Sequence, residues 1–162
     1  MTDFVSFGIF LVKSFSYAGI FLASFLSTST IFFPFPLYLI IFFSASLGLN
    51  TLIVGLLSGL GSSLGELTGY FVGVGGGKLI ENVKPSKFVK RIVKYFDKYG
   101  FLVIFLAALL PFPFDVIGII SGVAKYDIKK FLAATFLGKT IKSLLIAYVG
   151  YFVLPIVTSW LL

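Results

Sequence analysis

Between Lys13 and Glu66 the chain runs for 52 residues without a formal charge, and no other feature constrains its fold as tightly. About 20 apolar residues span the roughly 30 Å hydrocarbon layer of a bilayer, so this run is long enough to enter a membrane more than once. It is also far longer than the apolar core of a cleaved signal peptide, and no small-residue cleavage site follows it. The rest of the chain agrees: 59% of the 162 residues are hydrophobic and only 12% charged, half the share usual in a soluble domain. The expected class is an all-α polytopic membrane protein.

Composition also removes several chemistries. With no cysteine there is no disulfide or thiol chemistry, and with no histidine the commonest zinc ligand and neutral-pH acid-base group are missing. Neither a metal nor a cofactor is expected. The net charge of +7 does not point to nucleic acid, because seven of the 13 basic residues fall between Lys78 and Lys98. Within that block Lys87, Lys90, Arg91, Lys94 and Lys98 recur at helical spacing, while Phe88, Ile92, Val93 and Phe96 fall largely on another face. This pattern predicts a basic amphipathic linker over 78–98, either lying in a membrane surface or acting as a solvated connector that fixes orientation, and in both cases the positive-inside bias assigns it to the cytoplasmic side of a cell membrane.

The apolar parts repeat. Shifted by 77 residues, Pro34, Phe35 and Pro36 fall on Pro111, Phe112 and Pro113, Ser44 on Ser121, Leu60 and Gly61 on Leu137 and Gly138, and Val72 and Gly73 on Val149 and Gly150. Proline removes a backbone donor and restricts the residue before it, so Pro34, Pro36, Pro111 and Pro113 are read as helix breaks. The halves around the second break, roughly 101–110 and 113–124, are each too short to cross the hydrocarbon layer. A re-entrant hairpin is the expected solution, with basic residues before it (Lys94, Lys98) and after it (Lys125, Lys129, Lys130). A span from about Leu49 to Val74 then places a first hairpin, about 22–47, on the opposite face. Two such hairpins define an inverted-topology repeat. The resulting division is an N-terminal segment 1–18, a first repeat 19–77, the linker 78–98, a second repeat 99–152 and a short tail 153–162. The single charge at Lys13 leaves the N-terminal segment open between a surface helix and part of a span.

The candidate functional residues are the charges stranded in apolar sequence. Glu66 lies beside a ladder of Gly61, Gly65, Gly69, Gly73 and Gly77, a spacing that lets helices approach closely; Gly138 repeats Gly61 in the second half. Asp115 opens the returning half of the second hairpin, where a plain helix-capping role competes with a functional one. Lys139 and Lys142 sit within the final long apolar segment. Unpaired ions at mid-bilayer cost about 2.5–3.5 kcal/mol on insertion scales, so Glu66 and Asp115 are expected to face a shared polar interior with Lys139, Lys142 or both. There the carboxylates are proton-coupling candidates and the lysines head-group candidates.

Gly65-Glu66, Gly69-Tyr70 and Gly73 in the first half, with Pro111-Phe112-Pro113-Phe114-Asp115, Ser121-Gly122, Phe131 and Gly138-Lys139 in the second, resemble the DedA family, also called the VTT-domain or SNARE-associated Golgi protein family, over roughly 30–152. The resemblance implies a multi-pass lipid translocator: recycling of polyprenyl-phosphate carriers in prokaryotic members, phospholipid scrambling in eukaryotic relatives, and proton coupling at acids matching Glu66 and Asp115. The pattern departs at Ala108 and Phe114, where many bacterial members carry arginines around the hairpin proline, and at Val74, which stands where another arginine is usual. Expected partners are therefore membrane lipids with a phosphate head group and no nucleic acid, with homo-oligomerisation left open. A non-catalytic membrane scaffold and a membrane-embedded lipid hydrolase are the competing classes. The hydrolase lacks a nucleophile beside a histidine, and no catalytic residue is assigned.

Overall fold

The computed structural model describes residues 10, 14–29, 37–44, 48–79 and 87–161; Pro34 and Pro36 lie outside them. All regular structure among these residues is helical: α1 (Tyr17–Ser29), α2 (Leu37–Phe43), α3 (Thr51–Gly65), α4 (Leu67–Leu79), α5 (Lys87–Leu109), α6 (Phe114–Val123) and α7 (Ile128–Leu161).

Local chemistry sets most of the boundaries. Asn50 caps α3, its Oδ1 accepting from the backbone of Leu52 at 3.0 Å and Ile53 at 3.3 Å. Asp127 does the same for α7, accepting from Lys130 N at 2.8 Å. Gly48, at φ +74, supplies the left-handed turn before α3. At the end of α1 the hydroxyls of Ser27, Thr28 and Ser29 donate back to the carbonyls of Ala23, Ser24 and Phe25, which satisfies the hydroxyl donors within the helix itself. α3 and α4 join through Glu66, whose N–H still donates to Ser62 at 3.0 Å and whose carbonyl accepts from Tyr70 at 3.3 Å. The result is one near-continuous apolar helix, Thr51–Gly76, long enough to cross a membrane; a second is Ile128–Val153.

The sidedness of these helices identifies their solvent. On α3 the large apolar residues Leu52, Leu56 and Leu60 are exposed, while Ser58, Ser62 and Ser63 are buried. On α7 Leu137, Ile141 and Leu145 are exposed, while Thr135, Lys139, Thr140 and Ser143 are buried. A helix in water shows the opposite pattern. The chain is an all-α, multi-helix membrane protein with two long apolar helices.

The 77-residue correspondence seen in the sequence recurs in the packing. The starts of the two long helices match, Thr51 with Ile128. α1 packs on α3 and α5 on α7, while α2 packs on α7 and α6 on α4, so the two short helices are exchanged between halves. One apolar cluster contains Leu37, Val54 and Ala147; the other contains Phe114, Phe131 and Tyr70, the shifted positions. The glycine crossings match as well. A Cβ on Gly73 would strike the Ile119 carbonyl and one on Gly150 the Phe42 carbonyl, and Gly61 and Gly138 abut α1 and α5 in the same way.

The second break falls at Leu110–Pro113, where Phe112 N donates to Leu110 O at 2.8 Å and Pro113 is extended. α5 is longer than the expected half-helix: it runs without interruption from Lys87, so the basic stretch and the apolar stretch form a single helix. Between them lies only Gly100, which packs against the Tyr126 ring rather than ending the helix. Phe96 also meets Tyr126, ring centroids 6.0 Å apart, so the residues that flank the 99–124 segment are in contact.

Candidate functional site

α3 and α7 cross where glycines of α3 remove bulk: Gly55 faces Leu144, and Gly59 faces Thr140. A seam of polar side chains fills this crossing. Ser24 and Ser58 hydrogen-bond at 3.0 Å, and Ser58 and Ser143 at 3.1 Å. One turn along, Lys139 Nζ donates to Glu66 Oε1 at 2.6 Å. Both members of this ion pair are buried, with 3% of Glu66 and 7% of Lys139 exposed. The Lys139 ammonium also lies 4.9 Å from the centre of the Phe114 ring, which gives it a second favourable contact.

A buried ion pair is stable only when both charges are satisfied, and here satisfaction is incomplete. Glu66 Oε2, Thr135 Oγ1 and Thr140 Oγ1 are buried without a hydrogen-bond partner. Asp115 sits in the first turn of α6, half-buried, and acts electrostatically on both Glu66 and Lys139. It is not the helix cap; that position is Pro113, which has no side-chain hydrogen bond to offer. Lys142 is half-buried, donates to the Leu110 carbonyl at 3.2 Å, and stands 4.8 Å from the centre of the Tyr38 ring. It also adds to the field at Glu66.

The four charges picked from the sequence thus form one electrostatic group, but their roles divide. Glu66 and Lys139 are locked together, Asp115 is a neighbouring carboxylate, and Lys142 is the cation with access to the surface. The glycine ladder divides too. Gly61 and Gly65 receive α1, and Gly73 receives α6, whereas a Cβ on Gly69 would meet only ordinary contacts, the nearest at 3.7 Å. The packing around Gly77 lies outside the described residues. Sequence reasoning missed the buried hydroxyls Ser58, Ser62, Thr135 and Ser143, and the Tyr70 hydroxyl that donates to the Tyr126 carbonyl at 2.5 Å. The four-residue spacing of Ser58, Ser62 and Glu66, and of Thr135, Lys139 and Ser143, is the signal that marks the seam. Among the described residues no cluster of acids could hold a metal ion.

Comparison with known proteins places this arrangement. The VTT domain family model matches residues 33–152. An uncharacterized protein of Methanocaldococcus jannaschii is 30% identical over 148 residues, 91% of this chain and 88% of that protein. The uncharacterized membrane protein YhjE of Bacillus subtilis is 26% identical over 153 residues, 92% of this chain and 73% of its own. An uncharacterized protein of Haemophilus influenzae is 27% identical over 135 residues, covering 80% and 70% of the two chains. No solved structure matches. With the family match covering both halves and the crossing between them, the chain belongs to the VTT-domain, or DedA, family of membrane proteins.

Proposed function

We propose that this protein is a lipid translocator without enzymatic activity, binding the anionic head group of a polyprenyl phosphate or a phospholipid and moving it between leaflets of the cell membrane, with Glu66 or Asp115 changing protonation during the cycle. The observation that carries this reading is the Glu66–Lys139 pair, held at 2.6 Å in the crossing of the two long apolar helices. Ions at that depth are costly, and membrane proteins that keep them use them for ion or substrate pathways.

In this reading the segments around Pro34–Pro36 and Pro111–Pro113 are re-entrant hairpins, and the two halves form an inverted repeat whose polar seam lies near mid-membrane. The exchange of α2 and α6 between halves supports it, because neither half completes its packing alone. The linker 78–98 faces the cytoplasm. Lys142 is the head-group residue in the described arrangement, since Lys139 is committed to Glu66.

The test is reconstitution of the purified protein in liposomes with a labelled lipid in one leaflet. Movement of a polyprenyl phosphate but not of a zwitterionic phospholipid marks a selective carrier, and movement of both marks a scramblase. A pH gradient should change the rate in the wild type and change it less in Glu66→Gln or Asp115→Asn. If a folded protein moves neither lipid under any gradient, translocation is refuted and a packing scaffold is the better account.

A further inference from the structure

Three buried polar positions on the first long helix, Ser58, Ser62 and Glu66, correspond at the 77-residue shift to Thr135, Lys139 and Ser143 on α7. The correspondence can be applied to each polar contact of the seam in turn. The counterpart of Ser58–Ser143 is Thr135–Glu66, and the counterpart of Glu66–Lys139 is Ser143–Ser62. For the backbone frame such counterparts are made: Gly73 meets Ile119 and Gly150 meets Phe42, each the other's shifted pair. For the seam they are not, and the failure is visible. Thr135 Oγ1 and Glu66 Oε2, which would face each other as Ser58 and Ser143 do, are both buried without a partner. Buried polar atoms are seldom left so, and two orphans at matched positions call for one explanation.

We infer that Thr135 is a positioning residue, the second partner of Glu66: when the halves exchange conformations, the Glu66 carboxyl passes from Lys139 to the Thr135 hydroxyl while Ser143 passes from Ser58 to Ser62. The inference rests on the translocation reading through one premise, that the two halves exchange conformations. The re-pairings run in opposite senses. Ser143 advances one turn along the first helix while Glu66 retreats one turn along α7. A slide of one helix along the other cannot produce both, whereas an exchange between related halves does. The exchange also releases the Lys139 ammonium, so an anionic head group at Lys139 and the Glu66–Lys139 pair exclude each other.

The chain has no cysteine, which makes the two arrangements separable by cross-linking. Ser58→Cys with Ser143→Cys reports the described arrangement, and Ser62→Cys with Ser143→Cys reports the exchanged one; each pair is oxidised in liposomes of mixed anionic and zwitterionic phospholipid. Both should form disulfides. Thr135→Val should lower the yield of the second about fivefold, the effect of one lost buried hydrogen bond, and leave the first unchanged. Thr135→Ser should restore it. A uniform loss of stability would lower both yields together. Absence of the Ser62→Cys cross-link in the otherwise native chain, or equal yields with Thr135 and its valine variant, overturns the inference. Lipid movement is measured on the same vesicles. Exchange without movement keeps the inference and refutes translocation, and movement without exchange does the reverse.

Discussion

Lys139→Met tests whether the ion pair is a mutual dependence or two incidental burials. The substitution leaves Glu66 with neither oxygen partnered, since Oε1 loses the 2.6 Å bond and Oε2 has none to begin with. Two magnitudes compete. An ordinary interhelical hydrogen bond in a membrane protein is worth about 0.6 kcal/mol. Breaking a buried ion pair by removing one member costs about 3–5 kcal/mol, because the remaining charge is stranded. With only 3% of Glu66 exposed, the second should win. Lys139→Met and Glu66→Gln should each destabilise by about 3 kcal/mol or more, a large part of a typical 5–15 kcal/mol stability. The double variant, which buries no charge, should lie within about 1–2 kcal/mol of the wild type. Reversible unfolding in bicelles, followed by circular dichroism, gives all four free energies and hence the coupling. A coupling of about 4–5 kcal/mol is expected. If the single effects add to within about 0.5 kcal/mol, the two residues act independently and the pairing argument fails.

Alanine at Gly73 or Gly150 should cost about 1–3 kcal/mol in the same unfolding assay, since each Cβ would strike a facing carbonyl, whereas Gly69→Ala and Gly118→Ala, whose nearest contacts are 3.7 and 3.5 Å, should be neutral or stabilising. Single cysteines at Lys98 and at the exposed Lys129 should react with an impermeant thiol reagent from the same side of the membrane; labelling from opposite sides would exclude re-entry of residues 99–124. Lys142→Ala should weaken binding of a phosphorylated lipid about tenfold while leaving a zwitterionic one within twofold, as expected for loss of one charge-assisted hydrogen bond, measured by retention on lipid-doped nanodiscs.

The division between what was and was not legible in the sequence follows the range of the forces involved. The break at Pro111–Pro113 and the starts of α3 and α7 are local events, written in proline, Asn50 and Asp127. The charges of the seam were legible because hydrocarbon makes any stranded ion conspicuous. Their partners were not. Glu66 and Lys139 are 73 positions apart, and nothing along the chain says which of the two lysines one turn apart faces the acid. The antiparallel crossing decides it, through Gly55 and Gly59 against Leu144 and Thr140. The length of α5 was misjudged for the opposite reason. A change in composition near Lys98 looked like a boundary, but without a breaker the helical hydrogen bonding simply continues across it. Hydroxyls escaped attention because serine is unremarkable in sequence and becomes informative only when its burial is known.

The two halves share glycine crossings and differ in chemistry along the polar seam. At Gly61 and Gly138, and at Gly73 and Gly150, shifted positions carry the same residue and meet equivalent backbone. At Ser62 and Lys139, and at Glu66 and Ser143, they carry a neutral hydroxyl on one side and an ion on the other. A purely structural seam would need no such asymmetry: hydroxyls at all four positions could satisfy one another, as Ser24, Ser58 and Ser143 do, without burying any charge. The acid and the base of the pair come from different halves, so the 2.6 Å contact between them forms only across the crossing. Their neutralisation depends on how the halves sit against each other, and any movement between the halves changes the electrostatic energy at the crossing far more than it changes the glycine packing around it. In the translocation reading proposed above, that dependence ties the position of the two halves to the protonation of Glu66 and to the availability of Lys139 for an anion.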